Sequence, residues 1–290
     1  MSSEFVKFQE YSKRLRTIYF NALCAFYAYE AIEELITPNI VGKKEAEANV
    51  VILNRFKNFL VIARNTLNFY FLMELAKILD DARQSLHLTK LINFANSNKK
   101  KLSVNEFKNL NPDRAFLQDL ANRYEGMEKE DFEKIEKRLE ETKNIREKIK
   151  ECRDQNLAHE DLKKKKVSIS QTEIIKIFDL IAEILNIFSN KTDFSTTNYT
   201  HIEGECKRDT KNVFEYLRRF EPYRLKEIEK EHIELKLQNR QRANEIGTAS
   251  NIPPKKRPAQ ARARRKGGVG GNSVSPEPKR IRRKNRARAK

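Results

Sequence analysis

Apolar residues return every three or four positions over most of the chain, and that rhythm predicts helices. Between Glu4 and Ile36 the residues Phe5, Phe8, Tyr11, Leu15, Ile18, Tyr19, Ala22, Phe26 and Tyr29 lay one stripe along a helix that Pro38 ends. A second long helix is predicted from Lys44 to Leu79, with Ile52, Phe56, Phe59, Leu60, Ala63, Leu67, Phe71, Leu75 and Ile78 on a wide apolar face. The stretch DDARQSLHLTKLINFANSN reads as a helix end, a polar turn and a short helix capped by Ser85 or Thr89, and irregular short helices follow to Glu125. From about Lys129 the rhythm resumes in one third long helix through Phe132, Ile135, Leu139, Thr142, Ile145, Ile149 and Cys152, dense with Glu and Lys on its other face. A fourth core helix opens at Ser170/Gln171 and carries Ile174, Ile177, Phe178, Ile181, Ile184, Leu185 and Phe188. Residues 191–206 look turn-like. A further helix over Asp209–Asn244, interrupted near Pro222, becomes almost wholly charged and reads as an arm with little core face. From Ile246 onward Gly, Pro, Ser, Arg and Lys dominate, so the segment cannot offset its own ordering entropy and is expected to be disordered.

Composition supports an all-α chain. Its 290 residues are 39% hydrophobic, enough for a core, and include only 8 Gly, 8 Pro and no Trp, which suits long helices better than turn-rich sheets. Of the net +18, residues 250–290 hold +14, with 15 Lys and Arg against Glu277 alone; residues 1–249 hold 44 bases against 40 acids. Three expected regions follow: a helical bundle (1–190), a linker with a charged helical arm (191–245) and a basic disordered tail (246–290). Cys24, Cys152 and Cys206 are odd in number and far apart, which argues against a disulfide framework and for a reducing compartment. The opening MSSEFVKFQEY carries charges and no apolar core of a leader, and Arg55, Lys57, Arg64 and Glu74 break the greasiest stretch. Neither export nor a membrane span is expected, and a cytoplasmic location is.

The end of the third helix reads CRDQNLAHEDLKKKK. Here Arg153, Asp154, Asn156, His159 and Glu160 precede the run Lys163, Lys164, Lys165 and Lys166. His shuttles a proton near neutral pH and Arg grips phosphate oxygens through its planar fork, the pair that phosphodiester cleavage needs. On an unbroken helix Arg153 and His159 stand about 120° apart around the axis. Either the helix stops between them or two copies meet across a symmetric interface. The plainer reading is a histidine that caps a helix end or satisfies a neighbour. His87, His201 and His232 have no neighbouring ligands at metal spacing and read as surface or structural groups; Cys152 reads as core, and no metal or cofactor is expected.

Arg153-Asp154, four residues, then His159 and Glu160-Asp161 resembles the Arg-(four to six residues)-His signature of HEPN-domain ribonucleases. The AKILDDARQSLHLTKLI segment, LAHEDLKKK and the TEIIKIFDLIAEIL helix look like the abortive-infection subgroup, over roughly residues 5–190. The resemblance implies an up-down four-helix bundle that dimerises so that Arg153 and His159 of both copies line one cleft. It implies a metal-independent endoribonuclease of defence or toxin type that uses the RNA 2′-hydroxyl as nucleophile. His159 would be general base or acid, Arg153 the stabiliser of the pentavalent phosphate and Asp154 an orienting group. Asn156 and Glu160 join them from position alone, and Asn156 with Lys163–Lys166 would contact the substrate.

The basic blocks contain Lys255, Lys256, Arg257, Arg262, Arg264, Arg265 and Lys266, then Lys279, Arg280, Arg282, Arg283 and Lys284. They fit a phosphate-binding arm that concentrates RNA, whether tRNA, mRNA or ribosome, with localisation signals and plain solubility as alternatives. A non-catalytic nucleic-acid-binding protein is the competing function. The charged arm offers a contact for an antitoxin or regulatory protein.

Overall fold

The computed structural model describes residues 3–82, 84–154 and 167–249. Among them the chain is helical, with no strand. In order come α1 (Glu4–Leu35), α2 (Pro38–Val41), α3 (Lys43–Arg55), α4 (Lys57–Leu79), α5 (Leu88–Ser97), α6 (Val104–Leu110), α7 (Leu117–Asn122), α8 (Lys129–Glu141), α9 (Lys143–Cys152), α10 (Gln171–Asp193) and α11 (Thr200–Ala249). By packing, the chain divides into two compact units, Met1–Glu229 and Lys230–Lys290.

The first unit is an up-down four-helix bundle of α1, α4, α8 with α9, and α10. Ring pairs give the register. Phe8 meets Phe188 and Tyr19 meets Phe178, so α1 and α10 run antiparallel. Glu33 pairs with Arg64 while Phe26 meets Phe71, so α4 also runs against α1. Arg138 reaches Glu183 and Lys148 reaches Glu173, which sets α8 and α9 against α10. The apolar stripes of α1 and α10 close one core in which Phe5, Leu15, Leu75, Ile135, Ile177, Ile181 and Leu185 are fully buried. The Phe8–Phe188 and Phe26–Phe71 contacts are edge-on at 5.5 and 5.3 Å, each contributing about 0.5–1.5 kcal/mol beyond area burial. Among the described residues no helix is long and apolar enough to cross a membrane.

Local chemistry explains where the helices start and stop, and corrects several expectations. Ser170 accepts the Glu173 amide while the Glu173 carboxylate accepts the Ser170 amide, so α10 begins with a reciprocal cap, as its sequence suggests. His87, rather than Ser85 or Thr89, caps α5, its Nδ1 accepting the Lys90 amide at 3.2 Å. The second helix is not one rod: it breaks at Phe56, because Ile52 and Leu53 pack with Ile32, Leu35, Leu60 and Phe214 in a small second core. Phe59, expected inside, is 71% exposed. The third helix breaks at Thr142, whose hydroxyl donates to the Arg138 and Leu139 carbonyls and competes with the backbone ladder.

α11 differs most from expectation. It begins at Thr200, so the turn shrinks to 194–199, where Phe194 takes the left-handed conformation (φ 54°) that ends α10. It also passes through Pro222 without stopping. Its first turns belong to the bundle: Ile202 and Phe214 are buried, and Arg218 and Glu221 pair with Glu45 and Arg55 of α3. In the second unit, residues 230–244 are exposed throughout, as a mostly charged sequence requires. The expected disorder of the basic tail lies outside the described residues.

Candidate active site

Helix α9 delivers the chain to the site. Its apolar positions Ile149 and Cys152 are buried, and regular helix ends at Cys152 with Arg153 as cap; a wider π-type turn takes over at Arg153 and Asp154. Such turns re-aim side chains and break the 100° phase of a straight helix. The path from Asp154 to His159 lies outside the described residues.

The Arg153 guanidinium is held by two carboxylates. Nε donates to Asp154 Oδ1 at 2.8 Å, and Nη1 lies 3.1 Å from Asp80 Oδ2. The Arg153 and Asp80 side chains are 19% and 20% exposed, whereas Asp154 is 53% exposed, so the pair with Asp80 is the sheltered one. Hydrogen bonding to Asp154 raises the arginine's affinity for its proton, against partial burial, with Asp80 adding to it. Burial pushes the Asp80 carboxyl up, but the Asp81 amide and the Arg153 guanidinium outweigh it and hold the group below its ordinary value. Lys150, one turn before Arg153, reaches Asp81 at 3.4 Å.

Asp80 is the site residue that the sequence did not announce, although a signal was there. It is the C-terminal cap of α4, where the helix macrodipole disfavours an anion. An acidic pair at that end, Asp80-Asp81, calls for a nearby cation, and α9 supplies Arg153 and Lys150.

His87 lies in the field of Asp80 and Asp81, yet burial and then Lys90 depress its imidazole's proton affinity, and its Nδ1 is committed to the α5 cap. His201 and His232 are exposed on α11. Asn156, His159, Glu160 and Lys163–Lys166, together with the basic residues from Lys255 to Lys284, lie outside the described residues. Cys152 and Val167, described on either side of residues 155–166, line the same cavity, of about 700 Å³. Glu30, Glu33 and Glu34 also line it. These carboxylates are paired, Glu33 with Arg64 and Glu30 and Glu34 with Lys207.

None of Cys24, Cys152 and Cys206 is in a disulfide. Cys24 and Cys206, remote in sequence, act on each other; burial and Cys24 push the Cys206 thiol up to about 12.

A helical bundle with Arg153 fixed at a helix end is the setting that the Arg-to-His signature requires, and the family model for HEPN AbiU2 matches residues 5–213. The chain belongs to the HEPN AbiU2 family. The match extends to residue 213, within α11, whose Ile202 is buried. No curated protein and no solved structure gives a match.

Proposed function

We propose that this HEPN AbiU2 protein is a metal-independent endoribonuclease of defence type, acting on RNA in the cytoplasm as a homodimer. The observation that carries the reading is the Arg153 guanidinium, fixed by Asp80 where regular helix ends, six residues before His159. In the reaction His159 takes the proton of a ribose 2′-hydroxyl, and that oxygen attacks the adjacent phosphorus. Arg153 steadies the pentavalent phosphate through two N–H groups. The P–O5′ bond breaks, the leaving oxygen takes a proton from the imidazolium of His159 or of the partner's His159, and a 2′,3′-cyclic phosphate and a 5′-hydroxyl result. Asp154, the exposed partner, gives way to the incoming phosphate, while Asp80 keeps the guanidinium aimed. Asn156 and Lys163–Lys166 contact the RNA backbone, and the basic blocks of the tail concentrate RNA near the bundle.

Dimerisation has a surface to use. On α4 the residues Phe59, Ile62, Thr66 and Phe69 are all exposed and spaced three, four and three apart, which is the spacing of a two-helix seam. A stripe on one helix is self-complementary about a twofold axis, and α4 ends at Asp80, so the same helix serves both seam and site. The test is RNA cleavage in EDTA by the wild type and by His159→Ala. Activity confined to the wild type, with both proteins dimeric, is expected; equal activity in the variant removes the proposal. The second reading, nucleic-acid binding without cleavage, is favoured by the +14 charge of residues 250–290. Deleting residues 246–290 separates the two: a pure binder loses its RNA affinity, whereas the nuclease retains a weaker cleavage.

A further inference from the structure

Along α11 the residues Leu225, Ile228, His232, Leu235 and Asn239 follow one another at steps of three, four, three and four, which lays them in one row on the helix. All five are exposed, the three apolar ones to 47%, 45% and 55%. The surface charges of the helix do little to hold it. Over residues 226–242, positions four apart give one opposite-charge pair, Lys230 with Glu234, against three like-charge ones, Lys226 with Lys230, Glu227 with Glu231 and Lys236 with Arg240. A helix that is polar nearly all round and lacks such pairs is marginal in water until something packs on it.

The row has the form of a heptad core, with Leu225, His232 and Asn239 at a and Ile228 and Leu235 at d. The positions beside it say what packs there. In a parallel, in-register pair of helices each g residue meets the e residue five places on in the other copy. Arg224 then meets Glu229 and Glu231 meets Lys236, so both g–e contacts within the row join opposite charges, and the twofold axis makes each of them twice. Glu229, Glu231 and Lys236 make no ion pair among the described residues, and Arg224, which donates to Glu221 through Nε and Nη2, keeps Nη1 for a further acceptor. Asn239 sets the direction. In the parallel pair its amide meets the same amide of the other copy, whereas an antiparallel pair that places a opposite d buries it against an isoleucine or a leucine. The other apolar row, through Ile233 and Leu237, brings in Lys226, Lys230 and Arg240 at the same steps, so like charges would face one another and no seam forms there.

We propose that α11 joins a second copy of this chain in a parallel, in-register, two-stranded coiled coil over residues 225–239. The seam is about 21 Å long, and two of its five layers are polar, so it adds to the dimerisation of the bundle and does not hold two copies at micromolar concentration by itself. In a parallel pair both chains leave α11 at the same end, which starts the two basic segments, each of +14 over residues 250–290, side by side. The inference rests on the homodimer proposed above, but not on its chemistry and not on the α4 seam.

The experiment is the dimer dissociation constant of the full chain, read by fluorescence-detected sedimentation from nanomolar to micromolar concentration in 150 mM salt. Leu235→Glu, at an exposed position, should weaken the dimer at least about tenfold with the melt of the bundle unchanged. Glu231→Lys and Lys236→Glu each turn two attractions into repulsions and should each weaken it about three- to tenfold. The double variant carrying both reversals restores opposite charges and should return to within about twofold of the wild type. A wild-type constant in Leu235→Glu, or a double reversal no tighter than the single ones, overturns the coiled coil while the homodimer stands; a wild type that stays monomeric throughout removes both.

Discussion

Replacing Asp80 with Asn keeps the shape of the side chain and removes the charge that faces Arg153. Both side chains are about four-fifths buried, so the pair lies between an exposed ion pair, about 0.2–1 kcal/mol, and a buried one, about 3–5 kcal/mol. A loss of about 1–2 kcal/mol is expected, which for a body of this size lowers Tm by roughly 2–8 °C. The effect on cleavage should be larger. The guanidinium keeps its bond to the exposed Asp154 but loses its sheltered partner, and a misplacement on the order of 1 Å costs up to about a hundredfold in rate. Single-turnover cleavage with enzyme in excess reads that rate directly, beside a thermal melt of the same preparation. Asp154→Asn should cost less of both, because its partner is exposed. If Asp80→Asn lowers Tm as expected yet cleaves at the wild-type rate, the pair is only a structural salt bridge and Asp80 does not position Arg153.

Two further outcomes follow from the same geometry. Phe69→Glu sets a charge on the exposed stripe of α4, where it disturbs no core packing; sedimentation velocity at micromolar concentration should show monomers with an unchanged melt, and a persistent dimer would exclude α4 as the seam. Lys148 and the Ser170 amide hold the Glu173 carboxyl down to about 2, so its contribution to stability is present above pH 4.5 and lost as pH falls toward 2; Glu173→Gln should flatten the melt-versus-pH curve in that window, and an unaltered curve would deny Glu173 that part.

The long stripes of α1 and α10 were legible because each buries one continuous face and carries its own cap. The breaks at Phe56 and Thr142 were not, since a three-four rhythm continues through both; what ends the helix is a second core in one case and a hydroxyl bonded back to the ladder in the other. Pro222 misled for the opposite reason: proline is a local penalty, and α11 absorbs it. Arg153 and Asp154 stood out as candidates in the sequence through their place in the Arg-to-His signature and the residues around it. Asp80 could not, because its meaning lies in a contact across 73 residues, with only its awkward position at a helix C-terminus as a local sign.

The most direct test of the account is the chemistry of the cut ends. An RNA oligonucleotide digested in EDTA should yield fragments ending in 2′,3′-cyclic phosphate, with 5′-hydroxyls opposite. A single 2′-deoxy substitution at the cut position should block that cut, and Arg153→Ala and His159→Ala should each abolish cleavage in a protein that still dimerises. Fragments with 3′-hydroxyl and 5′-phosphate ends, or a cut that survives the deoxy substitution, would contradict an arginine and a histidine working through the ribose hydroxyl.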